Sequence, residues 1–133
     1  MPRLAAAMAG PVALWGCAGP LPLDALRASE PVARAEVAAD YKVVAACLTD
    51  QYLRHGFQVV PNIREHERRA TVTASILTGA RRRRVGLSEA EVVAAGAAAS
   101  RAALRTDLPF VGPDTSDVVF YRDLAECGLP ARR

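Results

Sequence analysis

Aromatic residues are scarce in this chain: three Tyr, three Phe and one Trp stand among 133 residues. A core with so few large rings has to be filled by small aliphatic side chains, and the heavily used alanine supplies them. Lysine is scarcer still, with Lys42 the single example and arginine carrying all the other basic positions. The formal net charge of +3 is mild, so any case for nucleic acid has to rest on local clustering. No apolar run reaches the ~20 residues that a membrane-spanning helix needs. A structural zinc site draws four ligands mainly from Cys and His. The chain offers His55, His66 and three cysteines, with no CxxC or HxxxH spacing. A glycine-rich phosphate loop, a GxGxxG and a nucleophile elbow are all missing, and Asp114, Asp117 and Asp123 lack the spacing of a calcium loop. These absences give an expectation of no metal, no cofactor and no catalytic residue, hence a protein that is not an enzyme.

What is present begins at the N-terminus. Arg3 is followed by the apolar stretch "LAAAMAGPVALW" and then by Leu14-Trp15-Gly16-Cys17. The stretch has the ~7–15-residue length of a secretory h-region. Leu14, Gly16 and Cys17 resemble the lipobox of bacterial lipoproteins, from which Trp15 departs. The resemblance covers only these first 17 residues. It implies cleavage before Cys17 and acylation of that cysteine, which becomes the first residue. In that family Ala18, rather than Asp, favours sorting to an outer membrane. A plain secretory signal, or an apolar N-terminal helix of a cytosolic protein, are the alternatives. On the lipoprotein reading, residues 1–16 are the signal, 17–29 a lipidated tether rich in proline, and 30–133 a single domain.

Within that domain, Ser29-Glu30-Pro31 has the chemistry of a helix start. Val37, Tyr41, Val44, Leu48 and Tyr52 then make one apolar stripe, so a long amphipathic helix is expected up to Gly56. Phe57, Val59 and Ile63 alternate with polar residues, with Pro61 marking an edge strand or a bulge. Ala70, Val72, Ala74 and Ile76 alternate cleanly with Thr71, Thr73 and Ser75, so the two segments predict an antiparallel hairpin around the charged turn Arg64–Arg69. Thr78-Gly79 can open a second turn leading to a third strand through "RRRRV". Ser88 and Glu91 have capping-box spacing, and the small-residue run after them predicts a second helix to about Arg105. "DVVFYRDL" is a last strand candidate and "CGLPARR" a tail. The fold class expected is a small α+β domain: an antiparallel sheet of three to four strands with two helices packed on one face.

Cys47 and Cys127 remain if Cys17 is acylated, and an even pair in an exported protein is a disulfide candidate. Such a bridge would close a loop of about 80 residues, for which chain entropy gives roughly 4–5 kcal/mol as an upper figure.

Four consecutive guanidiniums, Arg81, Arg82, Arg83 and Arg84, cannot all be buried, so they form a surface basic patch. Its two readings are contact with an anionic membrane surface and protection of a sheet edge. Nucleic acid is the weaker option, because no aromatic side chain is interleaved to stack on a base. His66 between Glu65 and Glu67 is a fragment of a general-base site or a solvated charge cluster. The function expected is a lipid-anchored protein of the bacterial cell envelope, facing the periplasm and binding headgroups or another envelope protein. A cytosolic basic module contacting nucleic acid through Arg81–Arg84 is the alternative, and a small periplasmic enzyme is the third.

Overall fold

The structure is a computed structural model that describes residues 22–81, 83–107 and 116–133. Residues 1–16, where the signal is expected, Cys17 and Arg82 lie outside the described residues. In chain order the elements are α1 (Leu23–Arg27), β1 (Ala33–Val37), α2 (Tyr41–Arg54), β2 (Gln58–Arg64), β3 (Arg69–Thr78), β4 (Arg83–Gly96), β5 (Ala99–Thr106), α3 (Ser116–Glu126) and β6 (Ala131–Arg132). A short 3-10 turn, Glu65–Glu67, joins β2 to β3. The strands form one six-stranded sheet in the order β2-β3-β4-β5-β1-β6, and every neighbouring pair is antiparallel.

This corrects the expected fold. The sheet has six strands rather than three or four, and the described residues contain three helices, one of them very short. The long helix expected from Ser29 begins only at Tyr41. Asp40 caps it by accepting a hydrogen bond from Lys42 N. Ala33–Val37 ahead of it is a strand, with Ala33, Ala35 and Val37 buried and Arg34 and Glu36 exposed. Both arrangements bury Val37, so the apolar stripe did not distinguish them. Ser29 ends α1 instead of starting a helix, its hydroxyl donating to Leu26 O at 2.5 Å. Residues 22–29, read as part of the tether, thus include a folded turn of helix.

The second expected helix is also absent: residues 88–105 belong to the hairpin of β4 and β5. Ser88 bonds Thr106 Oγ1 across the strands at 2.6 Å instead of capping a helix. The "DVVFYRDL" segment is helical, burying Phe120 and Leu124 one turn apart, and the tail ends in β6. Two expectations hold. The hairpin of β2 and β3 is present, with Val59 opposite Ala74 and Ile63 opposite Ala70. The helix stop at Gly56 is present as well. Gly56 takes φ +83°, and the bonds Gly56 N–Leu53 O (3.0 Å) and Phe57 N–Tyr52 O (3.1 Å) complete a Schellman motif.

α2 and α3 cover one face of the sheet. Val44, Leu48 and Tyr52 of α2, with Phe120 and Leu124 of α3, pack over a floor that is mostly alanine and valine: Ala35, Ala70, Val72, Ala74, Ala90, Val92 and Ala102. Small floor residues let the helices sit close to the strands. Each fully buried Leu or Phe contributes about 1.5–3 kcal/mol through area removed from water. The opposite face is polar, and α1 packs on it against β4 and β5, where Leu26 and Leu87 are buried.

Candidate functional site

The β3–β4 hairpin outgrows the rest of the sheet. β2 pairs with β3 only as far as Ser75, and β5 pairs with β4 only from Ser88. Beyond these rows Ile76–Thr78 pair with Arg83–Gly86, forming a two-stranded ribbon with a bulge between Ile76 and Leu77. Its tip stands three residues, or about 10 Å, past the last shared row. Arg81 lies exposed in the turn, Arg83 is exposed at the start of β4, and Arg84 is half-buried. The ribbon reading of "RRRRV" as a third strand is met by Arg83 and Arg84, while Arg81 stays in the turn.

Strand polarity fixes what lies beside this tip. Ala33 pairs with Leu104 and Ser88 with Thr106. The start of β1, the end of β5 and the ribbon therefore share one end of the sheet. Residues 22–29, which lead into β1, are held at the same end: Arg105 Nε donates to Ser29 O at 2.8 Å, and Arg27 reaches Glu89 on β4. From Pro22 back to Cys17 is five residues, at most about 17–18 Å.

Beneath α1, Glu89 is buried on the polar face of the sheet. Arg27 grips both its oxygens, Nε to Oε1 and Nη2 to Oε2 at 2.9 Å each, and Thr73 Oγ1 donates a third bond at 2.9 Å. Burial alone would push this carboxyl up. The bonds from Arg27 and Thr73, with the charges of Arg27 and Arg105, outweigh it and hold the group below the ordinary glutamate range.

The α2–α3 seam holds the expected cysteine pair. Cys47 of α2 and Cys127, just past α3, form the disulfide, their Cα atoms 5.9 Å apart across 80 residues of sequence. One helical turn from Cys127 on the same face, Asp123 is almost fully buried. His55 Nε2 meets its Oδ1 at 2.9 Å. Asp123 Oδ2 and Tyr52 Oη are both buried without a hydrogen-bond partner among the described residues. Burial pushes the Asp123 carboxyl up despite His55, and burial with the nearby Asp123 charge pushes the Tyr52 phenol up. Sequence reasoning missed this cluster because Asp123 was assigned to a strand. Its helical signal was present in Phe120, Leu124 and Cys127, which recur at four and three residues.

His66 is exposed on the 3-10 turn, and its flanking acids are engaged elsewhere: Lys42 Nζ bonds Glu65 at 2.6 Å, and Arg64 lies 3.7 Å from Glu67. The Lys42 bond and charge hold the Glu65 carboxyl low. No helix among the described residues is long and apolar enough to cross a membrane. Comparison with protein-family models, with curated proteins and with solved structures returns no match for this chain.

Proposed function

We propose that the chain is a small lipid-anchored protein of the bacterial cell envelope that works by binding, and that the Arg81–Arg84 ribbon is its contact with the anionic headgroups around the anchor. The observation that supports this most directly is the shared end of the sheet. Arg27 and Ser29, on the chain that leads back toward Cys17, are held near the end of the sheet from which the ribbon projects, so an acyl chain at Cys17 would bring the guanidiniums to the membrane surface. Each base near an anionic leaflet contributes about 1 kcal/mol, screened beyond a Debye length. Arginine at the tip also fits a hairpin that outgrows its sheet, because charge discourages edge-to-edge pairing.

Intact mass of the chain from the membrane fraction of a bacterial host tests the anchor. A chain starting at Cys17 with acyl groups, lost in Cys17→Ala, is the expected result; an unmodified full-length chain in the cytosol overturns it. The ribbon is tested by comparing the anchored protein with its R81Q/R82Q/R83Q/R84Q variant on vesicles of phosphatidylethanolamine with and without phosphatidylglycerol. Since both proteins carry the anchor, a difference between them reports the arginines. The variant is expected to bind the phosphatidylglycerol vesicles more weakly at low salt and equally at high salt. Equal binding under both conditions removes the ribbon from the reading.

A further inference from the structure

The polar face of the sheet carries charged side chains that the fold pairs only loosely or leaves without a hydrogen bond. Alternation along each strand places Asn62 and Arg64 of β2, Arg69 and Thr71 of β3, and Glu91 of β4 on this face, opposite the buried Ala70, Val72, Ala90 and Val92. The register arranges them in two rows: Asn62–Thr71–Glu91, and beside it Arg64–Arg69–Val93. A cleft of about 170 Å³ opens over these residues, walled on one side by the closed Arg27–Glu89 pair.

Three features of the cleft are unfavourable for folding alone. Arg64 and Arg69 are directly opposed on antiparallel strands, where like charges destabilise. Glu67 neutralises Arg64 only loosely, at 3.7 Å. Arg69 is half-buried, its side chain makes no hydrogen bond or ion pair among the described residues, and its Nε is fully removed from water. Buried donors are normally satisfied, so an orphaned guanidinium nitrogen calls for an acceptor. Glu91 is half-buried, and its carboxylate, which adds to the field at Arg27, makes no hydrogen bond or ion pair among the described residues. It stands one row along from Arg69, in the diagonal position about 7–8 Å away. The neutral Asn62 and Thr71 complete the row of Glu91.

We propose that this cleft binds a small zwitterion, its oxyanion held by Arg64 and Arg69 and its ammonium by Glu91. A plain dianion would meet the Glu91 carboxylate, and a plain cation would meet three guanidiniums. A molecule carrying both charges a few bonds apart gives the Arg69 guanidinium and the Glu91 carboxylate each a direct partner. At about 30 Å³ per water the cleft holds the equivalent of five or six waters, which suits a ligand of similarly few heavy atoms. The site lies toward the end of the sheet opposite the ribbon, so it depends neither on the anchor nor on the membrane contact.

Calorimetric titration of the full chain with four probes tests this. O-phosphoethanolamine and β-alanine carry both charges, on a phosphate or a carboxylate; glycerol 3-phosphate and ethanolamine carry one half each. Saturable binding of at least one zwitterion, about tenfold or more tighter than either half, is expected, and the preferred zwitterion identifies the oxyanion. Arg69→Gln should weaken it by about tenfold or more, the usual effect of losing a charge-assisted bond. Glu91→Gln should weaken the zwitterion while leaving glycerol 3-phosphate unchanged or tighter. Arg64→Gln, at the more exposed end of the pair, replaces Arg69→Gln if that variant fails to fold. The proposal is overturned if neither zwitterion saturates on the folded chain. It is equally overturned if glycerol 3-phosphate binds as tightly as the zwitterion, or if the variants bind like the native protein.

Discussion

Glu89 and Asp123 are both carboxylates almost without solvent contact, 3% and 1% exposed, yet the protein treats them in opposite ways. Glu89 receives three hydrogen bonds from Arg27 and Thr73, and its carboxyl is held low. Asp123 has one bond, from His55, and one oxygen with no partner among the described residues. Its carboxyl is pushed up. Burial is common to the two, so burial does not set the direction; the number and charge of the donors does. The two regions also differ in what holds them. α1 is tied down by the Glu89 ion pair, while the α2–α3 seam around Asp123 is tied by the Cys47–Cys127 disulfide.

Cutting the covalent tie should have the largest effect. Replacing both Cys47 and Cys127 by alanine is expected to lower stability by about 3–4 kcal/mol, read from urea unfolding, because an 80-residue loop is no longer closed in the unfolded chain. A loss below about 1 kcal/mol would mean that packing alone holds the seam and that the bridge contributes little.

Next comes the ionic tie. Arg27→Leu leaves Glu89 buried beside Thr73 alone. Breaking a fully buried pair costs ~3–5 kcal/mol. Arg27 is 44% exposed on its side chain, so about 2 kcal/mol is expected here. An unchanged urea midpoint would show that α1 is not a stabilising part of the fold.

The smallest effect, and the sharpest for the comparison, is the pH dependence. The depressed Glu89 carboxyl contributes stability that is complete above its unfolded value of ~4.3 and is lost as pH falls through its folded value. Asp123 runs the other way: its contribution is complete below its unfolded value of ~3.9 and is lost as pH rises through its raised folded value. Asp123→Asn should therefore be neutral or stabilising at pH 7, within about 1 kcal/mol, and should lose stability more steeply than the native chain on acidification. Glu89→Gln should lose it less steeply. Urea midpoints between about pH 3 and 7 decide the matter, and the reverse order of slopes would mean that the two environments have been assigned the wrong way round.

Strict alternation made part of the fold legible. Ala70, Val72 and Ala74 against Thr71 and Thr73 marked β3 and its pairing with β2, because a half-buried strand leaves a period of two in the chain. Gly56 marked the end of α2, since the left-handed conformation there favours glycine. The β4–β5 hairpin was missed for the opposite reason. Its alanines have the highest helix propensity of any residue, and Ser88 with Glu91 imitates a capping box. A period of two was still readable in Glu89, Ala90, Glu91 and Val92. Propensity gave way because β3 and β1 supply a strand partner on each side, and backbone groups between them are satisfied only by the ladder.

Of the candidate groups, the chain itself pointed to the cysteine pair and to the four arginines, because composition restricts both: few cysteines can pair, and four adjacent guanidiniums must meet water. Their placement was not readable. That Arg81 and Arg83 stand exposed on a ribbon at the end of the sheet where β1 starts follows from the lengths of β2 and β5, which stop short of the tip. That His55 meets Asp123, or that Arg64 faces Arg69 a row from Glu91, follows from helix packing and strand register. Local sequence determined the alternation of one hairpin, the stop of one helix and the residue types available for chemistry. Tertiary structure decided which segments became strands and which charges met, because contacts between residues far apart in the chain are set by the whole sheet and not by any stretch of it.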